Sequence, residues 1–80
     1  MRNRPASHLY LGSVPPAFEQ EYRPLAAASS KAEARKRAAA VLNEAYRSQN
    51  GREPRGLNKV LPSEIALFRV DLATGVVEPA

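Results

Sequence analysis

The sequence predicts an α+β fold: a small antiparallel β-sheet of about four short strands packed against one amphipathic α-helix, in the order ββαββ. Three observations carry that expectation. Residues 29–51 hold a capped helical pattern, residues 64–72 hold an alternating stretch rich in β-branched and aromatic side chains, and Ala73, Thr74 and Gly75 supply a turn directly after it.

The helical pattern, SSKAEARKRAAAVLNEAYRSQNG, has a defined start because Ser30 and Glu33 fit a capping box. A serine hydroxyl accepts from the backbone N–H three residues on, and the carboxylate there reaches back to the amide of the cap. Ala34, Ala38, Val41, Leu42 and Ala45 recur at helical spacing and form one apolar stripe that must pack on something. Asn50 and Gly51 follow the last periodic position and suit the left-handed conformation that ends a helix.

Before the helix, residues 1–7 carry Arg2, Arg4 and Pro5 without apolar periodicity and read as a loose arm, leaving residues 8–80 as a single small α+β domain. Residues 8–14 (HLYLGSV) form a short first strand that stops at Pro15 and Pro16. In residues 17–28, Phe18, Gln20 and Tyr22 alternate with Glu19, Glu21 and Arg23, the period of an exposed strand, and Pro24 makes it an edge strand or interrupts it.

Beyond the helix, Arg52, Glu53, Pro54, Arg55 and Gly56 make a surface loop, and residues 57–61 a short bridge ended by Pro62. In the strand that follows, Ala66, Phe68, Val70 and Leu72 share one face, and Ile65, Leu67, Arg69 and Asp71 the other. Ser63 also suits a helix cap, so a short helix over residues 63–70 competes with the strand; Val70, Leu72 and the turn chemistry favour the strand. Ala73, Thr74 and Gly75 fit a three-residue hairpin loop whose glycine supplies the positive φ of a bulge, with residues 76–78 pairing back.

A chain of 80 residues makes one domain at most. It buries only about 60 to 65% of the surface its unfolded form exposes. With no cysteine there is neither a disulfide framework nor a thiolate metal site, so stability comes from packing or from a partner, including a homodimer. Much of the apolar content is alanine; the candidate core is Leu9, Tyr10, Leu11, Val14, Phe18, Val41, Leu42, Tyr46, Ile65, Leu67, Phe68, Val70, Leu72 and Val76. No apolar run reaches the roughly 18 to 20 residues of a membrane span, and the first fourteen residues lack a signal-peptide block, which points to a soluble cytoplasmic protein.

The net charge of +4 is unevenly placed. Residues 29–61 hold eight Lys or Arg against Glu33, Glu44 and Glu53, a balance of +5, whereas residues 62–80 stand at −2. The basic character therefore belongs to the helix and the loop after it.

Nothing in the chain assembles into a catalytic constellation. His8 is the only histidine, and its neighbour Ser7 points to the opposite face of a strand. Glu19, Glu21 and Glu78 are carboxylates without histidine or cysteine spacing, and Gly51 and Gly56 lack the strand and the Gly-Lys-Ser of a phosphate loop. No enzyme activity, cofactor or metal is expected.

The candidate partner-binding residues are Lys36, Arg37, Arg47, Arg52 and Arg55, with Phe18 and Tyr22 as aromatic anchors. Lys36, Asn43 and Arg47 align on the helix face turned from the core, Arg35 and Arg37 flank them, and Arg52, Arg55 and Lys59 extend the patch. Glu33 and Glu44 stand close enough on the helix to pair with some of these cations. Two functions follow as expectations. One is a protein-binding module, inhibitor or adaptor, docking on an acidic protein surface. The other is a small nucleic-acid-binding regulator that sets the same cations on phosphates. In size and composition alone, the chain resembles phage-encoded inhibitors such as anti-CRISPR proteins.

Overall fold

A computed structural model describes residues 8–15 and 23–80. Its strands and helix are β1 (His8–Ser13), β2 (Pro24–Ala28), α1 (Lys31–Asn50), β3 (Ala66–Asp71) and β4 (Val77–Pro79), and two 3-10 turns, Gly56–Asn58 and Pro62–Glu64, lie between α1 and β3. The strands form one antiparallel sheet in the order β2-β1-β3-β4, so the fold is the small α+β arrangement with ββαββ order. The expected arm at residues 1–7, and Phe18, Gln20 and Tyr22 of the expected second strand, lie outside the described residues.

Local chemistry sets both ends of the helix. Ser30 is extended (φ −121°, ψ 151°), and its hydroxyl accepts the N–H of Glu33. At the other end Gly51 takes the left-handed conformation (φ 68°), and its N–H donates to the Arg47 carbonyl at 2.8 Å. β2 begins at Pro24, on the sheet edge, where a residue without an N–H costs no ladder bond. Ser13, buried at the end of β1, ties β1 to this strand: its hydroxyl donates to the Arg23 carbonyl at 2.8 Å and accepts the Arg23 N–H at 3.0 Å.

Strand alternation and register divide the sheet into two faces. Ala26 and Ala28 of β2, Tyr10 and Gly12 of β1 and Leu67 of β3 share the face under the helix. Leu9, Leu11, Phe68, Val70 and Val77 share the other, on which no described helix lies. The helix thus sits on the face of β3 that includes Leu67 and Arg69, and the more apolar face is turned from it. Small residues explain that choice. A β-carbon added to Gly12 would stand 2.5 Å from the Ala38 Cβ and 2.7 Å from the Ala34 carbonyl oxygen, so helix and strand meet where neither has bulk.

The buried arc of the helix differs from the expected stripe. Ala34, Ala38 and Ala39 are buried and Leu42 packs against them, but Val41 is 44% exposed and Ala45 is exposed. The chain returning from the helix places Val60 against Ala38 and Ala39, which extends the buried arc on the side away from Val41; Ala45 shares the angular position of Ala34 and Ala38 but lies nearer the C-terminal end of the helix. Ile65 completes that cluster, while Ala28, Ala34 and Leu67 form a second with Tyr10 at its margin. Of the candidate core, Val14, Ile65 and Leu67 are buried, Leu72 and Val76 are exposed, and Phe18 lies outside the described residues.

Between helix and β3 the chain does not form a bridge. Pro62–Glu64 is a single 3-10 turn, closed where the Glu64 N–H donates to the Leu61 carbonyl at 2.9 Å and the Glu64 carboxylate accepts the Leu61 N–H at 3.1 Å. The hairpin after β3 has the expected glycine (Gly75, φ 75°), but its turn also takes in Leu72. The cause is Asp71: its carboxylate accepts the N–H of Ala73 at 2.8 Å and of Thr74 at 3.3 Å, closing a turn that starts one residue earlier.

No helix among the described residues is long and apolar enough to cross a membrane.

Candidate functional site

The helix and the segment after it carry all the described cations singled out from the sequence, and the geometry sorts them into two groups. Arg37 and Arg47 are engaged within the chain. Arg37 donates from Nε to the Glu33 carboxylate and from Nη1 to the Ala27 carbonyl, each at 3.1 Å, so it joins the start of the helix to β2. Arg47 sits between Glu44, which accepts from Nη1, and Glu53, whose two oxygens accept from Nε at 2.5 Å and Nη2 at 3.0 Å. Lys36, Arg52 and Arg55 form the second group: they are exposed, and among the described residues their side chains make no hydrogen bond or ion pair. Phe18 and Tyr22 fall outside the described residues.

Asn43 does not belong to an outward face. Its Nδ2 donates to the Val60 carbonyl and its Oδ1 accepts the Val60 N–H, both at 2.9 Å, which fastens the returning chain to the helix. Gly51 reverses the chain, the Arg47–Glu53 fork holds its first part, buried Pro54 seats it, and the Asn43–Val60 clamp holds its end. Four attachments thus pin residues 51–54 and 60.

Between Pro54 and Val60 the chain projects. The Asn58 N–H donates to the Arg55 carbonyl at 3.1 Å and the Lys59 N–H to the Gly56 carbonyl at 3.2 Å, making one 3-10 turn entered through Gly56 at φ 58°. Leu57, at the tip of this turn, is 99% exposed. The loop and the end of the helix line an open concavity of about 460 Å³, formed by Tyr46, Arg52, Glu53, Arg55 and Asn58. A neighbouring one of about 580 Å³ reaches from Arg55 and Lys59 across Pro54 to Ala40 and Arg47.

The fork sets the local electrostatics. The hydrogen bond from Arg47 holds the Glu53 carboxyl below the usual carboxylate range; it outweighs an opposing effect of desolvation, and the weaker effects of the Arg47 and Lys59 charges act in its direction. The same contact raises Arg47. Because the folded value of Glu53 is depressed, its contribution is present above the ordinary carboxylate range and is lost as pH falls through the folded value. An NMR titration of the Glu53 side-chain carbonyl is expected to show its inflection below that of a free glutamate, and Arg47→Ala to return it to the ordinary range. A wild-type inflection at the ordinary value would mean that the fork is not populated in solution.

A second polar cluster lies at the start of the helix, against β1 and β3. The Lys31 Nζ stands 5.7 Å from the centre of the Tyr10 ring, the His8 and Tyr10 rings meet edge to face at 5.1 Å, and Arg69 pairs with Glu78 across β3 and β4. The Glu78 hydrogen bond is the main cause of a raised Arg69 pKa. The His8 Nε2 lies 3.1 Å from the Tyr10 hydroxyl. Among the described residues no group of three or more His, Cys, Asp or Glu side chains is placed to hold a metal ion.

Sequence reasoning missed the two most informative members of the site. Leu57 carried no signal beyond its place between Gly56 and Asn58. Pro54 was readable only as a loop breaker, although it is buried. Fold and site together define a small two-layer α+β domain that presents a pinned basic loop. No protein-family model matches the chain, and neither a curated protein nor a solved structure matches it.

Proposed function

We propose that this chain is a non-enzymatic protein-binding module that acts in the cytoplasm as an inhibitor or adaptor on a larger protein or complex. The observation that carries this reading is the state of the helix cations. A phosphate-tracking helix needs its cations free to replace counterions along the backbone, since that release supplies most of the non-specific affinity. Here Arg37 and Arg47, two of the three helix cations singled out, are matched by Glu33, Glu44 and Glu53. The free cations Arg52 and Arg55 lie instead in the same loop as an exposed leucine, and a mixed apolar and cationic surface suits a protein partner better than a phosphate backbone.

The test is a pull-down of the tagged chain from nuclease-treated extract, repeated without nuclease and at two salt concentrations. A discrete protein is expected to survive nuclease and to be retained at the higher salt, because an interface with an apolar anchor loses less affinity to salt than one built on phosphates. Recovery of nucleic acid alone, lost at the higher salt, would replace this reading with that of a nucleic-acid-binding regulator.

A further inference from the structure

We infer that the projecting turn between Pro54 and Val60 is the docking element, and that its partner is an acidic protein segment with carboxylates spaced to meet Arg52 and Arg55 and an apolar side chain or cleft to receive Leu57. This inference rests on the protein-binding reading and adds to it the place of contact and the chemistry of the partner.

Rigidity is the first argument. An exposed loop that moves freely is a poor anchor, because its ordering entropy is charged against binding. This one is held on both sides of the turn by contacts that have no other evident use: the Arg47–Glu53 fork and buried Pro54 before it, the Asn43–Val60 clamp after it. Gly56 in the left-handed region fixes the direction in which Leu57 points.

Charge complementarity is the second. Glu53, the one acid lining the concavity with Tyr46, Arg52, Arg55 and Asn58, already accepts both hydrogen bonds of the Arg47 fork. Its charge is matched from the helix side, so Arg52 and Arg55 face outward with their guanidinium donors available. A guanidinium pairs best with a planar, two-oxygen acceptor, and a carboxylate provides one. Tyr46 lines the concavity and supplies an apolar ring with a polar edge, as protein interfaces favour.

Apolar content is the third argument, and it selects protein over nucleic acid. Leu57 is 99% exposed, whereas the other exposed large apolar side chains among the described residues range from 44% to 55%. A leucine this exposed in the same loop as two free arginines has the composition of an interface anchor with a polar rim.

The experiment measures fluorescence anisotropy of the full chain with two labelled probes of equal length: a peptide alternating glutamate with leucine, and an oligothymidylate. The peptide is expected to bind, with amide shift changes in NMR confined to Tyr46 and residues 52–58. The double variant Arg52→Glu, Arg55→Glu is expected to weaken it by about tenfold or more, Leu57→Asp by a similar factor, and Lys36→Glu by less than about twofold. Tighter binding of the oligothymidylate through the same residues would overturn the proposal in favour of nucleic acid. No peptide binding, or shift changes located on α1 away from Tyr46, would overturn it as well. The pull-down separates the two levels of the argument. If the captured protein is retained by the Arg52, Arg55 and Leu57 variants, the module reading stands and this docking site fails; if the wild-type chain captures no protein, the module reading itself fails.

Discussion

Gly12→Ala is expected to lower the melting temperature by about 10 to 20 °C, and Gly12→Val to leave the chain largely unfolded at room temperature. Gly12 is not among the glycines with positive φ, so its place in β1 is not explained by backbone freedom. Alanine or valine there should by itself favour the strand: a side chain reduces the entropy of the unfolded chain by about 0.4 to 1 kcal/mol, and valine has the higher β-propensity. The space decides the sign. A β-carbon would meet the Ala38 Cβ at 2.5 Å, the Ala34 carbonyl oxygen at 2.7 Å and the Ile65 Cγ2 at 3.2 Å. The first two contacts belong to the helix itself and cannot be relieved by a rotamer change, so the helix must lift from the sheet. Overpacking of this kind costs about 1 to 3 kcal/mol and occasionally more. A chain of 80 residues has a total stability of about 4 to 12 kcal/mol at the usual 0.05 to 0.15 per residue.

A double-mutant cycle sharpens the test. Ala38→Gly removes the nearest contact but leaves the Ala34 carbonyl, and it costs the helix about 1 kcal/mol in propensity. Combined with Gly12→Ala it should therefore be less destabilising than the sum of the two single changes, without restoring wild-type stability. Thermal unfolding followed by circular dichroism reads all four proteins. A Gly12→Ala variant as stable as the wild type would mean that the helix is not seated on β1 at this point.

What was legible in the sequence is what depends on neighbours in the chain. Ser30, Glu33 and Gly51 bracket a helix described as Lys31–Asn50, and Gly75 marks the hairpin, because a cap or a left-handed glycine acts within a few residues of itself. The hairpin also shows the limit of such reading. Asp71 was assigned to a strand face, yet its carboxylate draws Leu72 into the turn, and an aspartate ahead of a loop is a readable signal for that. Gly12 inside a strand was a second such signal, since glycine there often marks the close approach of another backbone. The rest depends on contacts between distant parts of the chain. The buried arc of α1 reaches Ala39 where Val60 packs on it, and no helical period can place Val60. In the same way Asn43, aligned by spacing with Lys36 and Arg47, became a clamp only because the chain after Gly51 turns back along the helix. The candidate site was half legible: Arg52 and Arg55 were marked as loop cations, but Arg47 proved to be a brace for the loop, and Leu57 became notable only through its exposure.

Asn43→Leu is expected to cost about 2 to 4 kcal/mol and to release the docking turn before the rest of the fold gives way. Leucine keeps the branched heavy-atom skeleton of asparagine, with bulkier methyl ends at a half-buried position, and has a better helix propensity, so the helix itself should not suffer. The loss comes from Val60. Its residue is only 4% exposed, and both its N–H and its C=O are satisfied by the one amide side chain. Removing that side chain leaves a donor and an acceptor without partners in a place water reaches poorly, at about 1 to 3 kcal/mol for each. Asn50 provides the control on the same helix. Its Nδ2 also donates to a backbone carbonyl, that of Tyr46 at 2.9 Å, but it is exposed, and water replaces the bond when Asn50→Ala removes it, so the expected cost is within about 0.5 kcal/mol. Hydrogen exchange separates local from global effects: in Asn43→Leu the amides of residues 55–60 should exchange faster by a larger factor than those of β1, whereas Asn50→Ala should leave the ratio unchanged. Since the proposed partner contact needs Arg52, Arg55 and Leu57 held in one arrangement, the same variant should weaken binding without altering any residue that touches the partner. An Asn43→Leu chain with wild-type stability and wild-type exchange at Val60 would show that the turn is held by the Arg47 fork and Pro54 alone.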